Sequence, residues 1–323
     1  MSNKIAIIGA GFSAAVFSVL IQGSDLKIFD KGRGPGGRSS SRRVDNIGIF
    51  DHGLQFINSE NTEFINFLKK NLSNWIKEWN GDFIDFDKNQ ILPKSIKYIG
   101  INGNNDFVKK LISIPSYYKK ELLKISKKSG EWLLEFTDKS QEMADILVLT
   151  IPMEQCKNIT QSLNINFLFK GSMEPNITTM IAFESTKFIK TSGYLFKTNN
   201  ILGWAANESS KSRLANTDSL QLWTLQSSTS FADANCKNFK IEKLSIMNRM
   251  IKEFSNILGI PDMKIIHKDA HSWLYAYKKD VFEKEFFWDD QLKLGICGDW
   301  MCGSKAEDAW RSASMLANQI NNS

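Results

Sequence analysis

The chain has 323 residues, 42% of them hydrophobic and 11% aromatic, with a formal net charge of +6. This composition excludes a disordered protein and supplies apolar surface for one large domain or two medium ones. The positive charge is scattered in lysine pairs (69-70, 109-110, 119-120, 127-128 and 278-279) that read as solvated faces, which argues against nucleic acid as a partner.

Residues 4 to 9, "KIAIIG", predict a strand buried on both faces. "GAGFSA" follows, with Gly9, Gly11 and Ala14 at the G-x-G-x-x-G/A positions, and "AAVFSVLI" predicts an apolar helix. A second short strand, "LKIF", ends in Asp30. Strand, glycine turn, helix, strand and terminal acid make the dinucleotide fingerprint. Gly9 permits the turn, Gly11 lets backbone approach a pyrophosphate, and Ala14 keeps the helix close to the sheet. The helix N-terminus offers free N–H groups and a partial positive charge to phosphates. Asp30 would accept from ribose hydroxyls, and its charge disfavours a 2′-phosphate there. The glycines interrupt what would otherwise imitate a signal peptide, and no run spans a membrane, so a cytoplasmic protein is expected.

An NAD domain usually continues into a crossover helix. Here "KGRGPGGRSSSRR" has no helical period. Gly36 and Gly37 allow close backbone approach, and the Arg38 fork suits a second contact with pyrophosphate oxygens. These residues favour FAD over NAD as the cofactor. Arg42 and Arg43 have three open readings: cofactor, anionic substrate or water. "IGIFDHGLQF" supplies Asp51 and Gly53 for a further turn near the cofactor.

Residues 61 to 79 predict a helix ended by "NG", and "DILVLTIP" predicts a central parallel strand. "TTMIAFE", "YLFKT", "LGWAA" and "LQLWTLQ" predict an antiparallel sheet between residues 177 and 227. An amphipathic helix through Leu244, Met247, Met250, Phe254 and Leu258 stops at Gly259 and Pro261. "LKLGICGDW" is a strand running into Gly298-Asp299, followed by a helix with a capping box expected at Ser304 and Glu307. Cys297 and Cys302 have the spacing of some redox pairs, but the plainer reading is small buried residues. No histidine pairs with a cysteine at zinc-ligand spacing, so no metal is expected.

The chain resembles the FAD-dependent amine-oxidase-like flavoproteins, and among them the renalases. The resemblance rests on "IAIIGAGFSAA…IFDKGRGPGGRSSSRR", "FDHGLQF", "WAANESSKSR", "AHSWLYAY" and "GICGDWMCGSKAEDAWRS". It departs from the family at Ser312-Ala313 and at Ser212, where family members often carry glycine and proline. The resemblance implies an α/β fold. A discontinuous Rossmann-like FAD-binding domain (1–60, 98–165 and 290–323) would carry an inserted substrate domain of antiparallel sheet and helix (61–97 and 166–289). It also implies oxidation of 2- or 6-dihydro-NAD(P) isomers by hydride transfer to FAD, with dioxygen as acceptor and hydrogen peroxide released. The alternative is a flavin amine oxidase or desaturase, or a flavin-binding protein without turnover.

The candidate cofactor-binding residues are Gly9, Gly11, Ala14, Asp30, Lys31, Gly36, Gly37, Arg38, Gly53, Gln55, Gly298, Asp299, Glu307 and Ala309. The candidates at the substrate are His271, Asn207 and Lys211, with solvated or core positions as their alternatives. Trp204, Trp223, Trp273 and Trp300 would wall a flat pocket or simply fill the core. His52 and His267 are expected to be structural. The sequence carries a single glycine fingerprint, so a nicotinamide substrate would lie in the pocket facing the flavin.

Overall fold

The computed structural model describes residues 2–165, 169–184, 189–213, 220–278 and 284–323. Its first sheet has six strands, in the order Phe287–Asp289, Leu294–Ile296, Ile146–Leu149, Lys4–Ile8, Asp25–Asp30, Ser116–Tyr118. All neighbours are parallel except the first pair. Lys4–Ile8 is central because four consecutive apolar residues satisfy both faces. Ile5 and Ile7 join a core with the helices Phe12–Leu20, Asn104–Leu111 and Ala306–Asn321. Ala6 and Ile8 join a second core, beneath the three-stranded sheet of residues 122–144. "DILVLTIP" occupies the predicted central position, with its strand Ile146–Leu149 buried beside Lys4–Ile8.

The second sheet has seven strands, in the order Ile265–Lys278, Met173–Glu184, Leu220–Ser227, Leu202–Asn207, Gly193–Leu195, Phe83–Asp85, Gln90–Ile91. It is antiparallel except where Gly193–Leu195 meets Phe83–Asp85. The helix Phe239–Leu258 packs on one face through Ile246, Met250 and Phe254 and ends at Gly259 in a left-handed conformation, as expected. The α/β class with a Rossmann-like unit therefore holds.

Three local expectations change. The helix placed at 61–79 runs only Thr62–Leu72, and Ile76–Glu78 instead pairs with Tyr98–Gly100. That partner lies some twenty residues downstream, where no local period reveals it. The same helix, expected in the second unit, buries Phe64, Leu68 and Leu72 in the first core. Lys278 is not solvated: its stem is buried and its Nζ donates to the Lys170 carbonyl at 2.6 Å. Its neighbour, residue 279, lies outside the described residues. The other four lysine pairs stand at the surface, and no described helix is long and apolar enough to cross a membrane.

Candidate functional site

Gly9 closes the first strand with φ +106°, and a Cβ there would meet the Thr150 Oγ1 at 2.6 Å. The turn therefore needs glycine, because the ends of two parallel strands converge on it. The helix Phe12–Leu20 begins at Gly11 with no side-chain cap, and a Cβ on Gly11 would meet nothing within 4 Å. An uncapped helix N-terminus thus opens onto free space, the arrangement that receives a phosphate. Ala14 is fully buried against the sheet. The Asp30 carboxylate accepts from the Ala10 N–H at 2.7 Å and the Gly32 N–H at 2.5 Å. Both oxygens keep a further lone pair for ribose hydroxyls. The strap after Asp30 lies on this turn, with the Gly36 N–H donating to the Ala10 carbonyl at 2.9 Å.

Arg38 differs from expectation. Its fork grips Asp299: Nη1 donates to Oδ2 at 2.7 Å, Nη2 donates to Oδ1, and Nη1 also reaches the Ala276 carbonyl at 3.1 Å. A carboxylate satisfies the guanidinium as bidentately as a phosphate does. Two residues assigned separately to the cofactor, 261 positions apart, are therefore each other's partners. The expected Ser304–Glu307 capping box is shifted by one residue. Asp308 accepts from the Ser304 and Lys305 N–H groups, while Glu307 accepts from the Ser59 hydroxyl at 2.6 Å. Ser304 is drawn off by two bonds to the Lys278 backbone. Ala309 faces the first core, and Lys31 stands at the surface, 3.9 Å from Glu121. Cys297 and Cys302 are free thiols, the first buried.

Gly53 sits where three segments meet. A Cβ there would collide with the Arg38 carbonyl and lie 3.4 Å from the Trp273 ring. Its own carbonyl accepts from Gln55 at 3.0 Å and Gln226 at 2.8 Å. Next to it, three rings form a cluster. His52 stacks on Trp273 at 5.4 Å between centroids, and His271 meets the edges of His52 at 5.3 Å and Trp273 at 4.3 Å. The Trp273 Nε1 donates to the His52 carbonyl at 2.9 Å. The buried His52 Nδ1 and Gln55 Oε1 have no partner among the described residues. Of the four tryptophans weighed for a pocket wall, Trp273 is the one in this cluster; the other three lie in apolar clusters. His52, expected to be structural, is a member of it.

Burial pushes the His52 imidazole down to about 4, aided by the His271 and Arg42 charges. Burial likewise lowers His271 and His267. A histidine whose folded pKa lies below its unfolded value binds fewer protons when folded, so stability is lost as pH is lowered from the unfolded value to the folded one. For His52 the window runs from about 6.5 down to about 4. The expected loss is at most about 3 kcal/mol. Urea midpoints measured across that range should decline, and His52→Gln should flatten the decline; an identical slope in the variant would refute the assignment.

Asn207 and Lys211 lie in buried polar networks, not in the ring cluster. Asn207 is fully buried and donates to the carbonyls of Ile189 and Thr191. Lys211 is fully buried, with Nζ 2.8 Å from Asp51 and 2.9 Å from Glu208. Arg213 completes a tetrad, at 2.6 Å from Asp51 and 3.5 Å from Glu208. Asp51 also accepts from the Ser41 hydroxyl and the Asn104 N–H. Burial alone would raise Asp51, but Arg213 and Lys211 more than reverse this and hold the carboxyl well below its usual range. Burial pushes Glu208 up, only partly offset by Lys211. Sequence reasoning missed Glu208 and Arg213. The E-x-x-K spacing within "NESSKSR" was the available signal, but its partner Asp51 lies about 160 residues away.

Residues 7–70 match a family model described as an NAD(P)-binding Rossmann-like domain. Three solved structures share the fold over nearly the whole length. The first, a provisionally assigned protoporphyrinogen oxidase from an Exiguobacterium species, is 10% identical, covers 100% of this chain and 99% of its own, and has a TM-score of 0.77. A CLA-producing fatty acid isomerase from P. acnes is 10% identical over 98% of each chain, with a TM-score of 0.72. A redesigned putrescine oxidase is 9% identical over 100% of each chain, with a TM-score of 0.67. At these identities the likeness is one of fold.

Proposed function

We propose that the chain is an FAD-dependent oxidoreductase of the renalase type, acting in the cytoplasm on 2- or 6-dihydro isomers of NAD(P)H, with dioxygen as final acceptor and hydrogen peroxide as product. The observation that carries the reading is the ring cluster His52–His271–Trp273, set against Gly53 and the Arg38–Asp299 pair. FAD, when bound, supplies a two-electron hydride acceptor. The open helix terminus at Gly11 suits its pyrophosphate, Asp30 its ribose, and the Gly53–Gln55 turn its ring system. We assign cofactor binding to the parallel-sheet unit and substrate covering to the antiparallel sheet.

The wall beside that turn is aromatic, with the His52 and Trp273 rings stacked, and burial lowers the pKa of both imidazoles. Loss of a hydride from a dihydropyridine is driven by the lone pair of its own ring nitrogen, so it needs alignment more than a strong base. The cluster offers alignment. Two of the three fold relatives bear oxidase names, which agrees with the reading, and so do the motifs of the renalase resemblance.

The test is the absorption spectrum of purified protein before and after anaerobic mixing with 6-dihydro-NAD. A flavin spectrum that bleaches, with peroxide appearing on readmission of air, is expected. Rapid bleaching by putrescine or another amine, with none by the dihydronicotinamide, would establish the amine-oxidase alternative instead. In this assay His271→Ala should slow bleaching about tenfold without changing flavin content. Unaltered bleaching in that variant would make His271 a core residue.

A further inference from the structure

Resting on that reading, we propose that Arg42 and Lys243, joined through Asp269, form the end of the substrate site that binds the substrate's phosphate and discriminates against ligands without one. Arg42 and Arg43 are neighbours on the strand Ser41–Val44, so their side chains leave opposite faces. Arg43 is fully engaged, donating to the Asn102 carbonyl at 2.6 Å and to Asp106 at 2.9 Å. Arg42 is not. Among the described residues its one polar contact is with Asp269, at 3.4 Å, and its side chain is 41% exposed.

Asp269 is already committed elsewhere. Its Oδ1 accepts from Lys243 at 2.5 Å and from the Ala270 N–H at 2.8 Å. One carboxylate therefore faces two cations, Arg42 and the 42%-exposed Lys243. The other titratable groups on this face, His267 and His271, are held toward neutrality by burial. The surplus is one positive charge, presented to solvent.

The position of this surplus gives it a purpose. Asp269, His271 and Trp273 alternate along one strand and share a face. At strand rise, Asp269 is roughly 7 Å from His271 and roughly 13 Å from Trp273. The cationic pair therefore stands one ribose-sized step beyond the ring cluster. A ligand with its flat ring against His271 and Trp273 would bring a phosphate to Arg42 and Lys243. A neutral or cationic amine would gain nothing from that end.

The test compares the holoenzyme's KM for 6-dihydro-NAD with that for the uncharged N-methyl-1,6-dihydronicotinamide, and titrates NAD+ binding by calorimetry. In Arg42→Ala the KM ratio of charged to uncharged substrate should rise about tenfold, and the Kd for NAD+ should rise similarly. Arg42→Lys should recover part of both. Lys268→Ala, on the opposite face of the strand, should change neither. Equal effects of Arg42→Ala on both substrates, or an unaltered Kd for NAD+, would overturn the anion site while leaving the oxidase reading intact. Failure of both dihydronicotinamides to bleach the flavin would overturn the oxidase reading, with the NAD+ titration still deciding the anion site.

Discussion

Replacing Lys211 with methionine should destabilise the folded protein by about 3–5 kcal/mol. The substitution keeps volume and apolar packing against Trp79, over whose ring the ammonium now lies at 4.8 Å. What it removes is charge balance. Asp51 and Glu208, both fully buried, would face Arg213 alone. One negative charge would be left uncompensated where water cannot reach it, and that cost exceeds what the ion pair itself contributes. The measurement is the urea midpoint at neutral pH, with the denaturant slope checked for unchanged compactness. A loss under about 1 kcal/mol would mean that water or rearrangement relieves the site. A second variant separates charge from packing. Combining Lys211→Met with Glu208→Gln restores neutrality and should recover part of the loss.

The acid side of the same tetrad has a definite sign. Asp51 is held low in the folded state, so its contribution is complete above its unfolded pKa and is lost as pH falls through the folded one. Glu208, raised by burial, acts oppositely: stability declines as pH rises from its unfolded to its folded value.

The second large effect is expected at Gly11. Its backbone is extended, at φ −86° and ψ −172°, which any residue adopts, and a Cβ there meets open space. Gly11→Val should therefore leave the thermal midpoint of cofactor-free protein nearly unchanged. A ligand lying on the helix N-terminus would nonetheless lose its place, and flavin content after purification should fall at least about 100-fold. Few substitutions separate fold from binding so cleanly, because a side chain here collides only with what occupies the space. Retention of normal flavin by Gly11→Val would refute the cofactor assignment. Gly9→Val makes the contrast: positive φ and the Thr150 hydroxyl should disrupt the turn even without ligand.

Much of the fold was legible because continuous apolar runs leave little choice. Within "KIAIIG" and "DILVLTIP", residues 5–8 and Ile146–Leu149 are buried on both faces, and a strand of that kind belongs inside a parallel sheet. The glycine turn and the Gly259 helix stop were legible because each demands a backbone conformation that few residues adopt. The site was legible only in outline. Arg38 and Asp299 were both singled out, yet nothing local to either reveals that they pair. Lys211 was singled out for the wrong reason, since a lysine seen in sequence looks solvent-exposed until its carboxylates arrive from elsewhere in the chain. His52 was set aside, although its neighbour Gly53 was not, because ring contacts across 221 residues leave no mark in a local pattern.

The order of strands in the first sheet bears on how the protein is made. The edge of Ile146–Leu149 is covered by Leu294–Ile296, a strand synthesised long after it. At typical synthesis rates that edge stays bare for roughly 10–30 s. Arg38 likewise waits for Asp299. Nascent chains should therefore expose an adhesive, hydrogen-bond-hungry margin until Leu294–Ile296 emerges. Loading of any cofactor into the completed cradle then waits for that strand, and chains truncated before residue 290 are expected to aggregate.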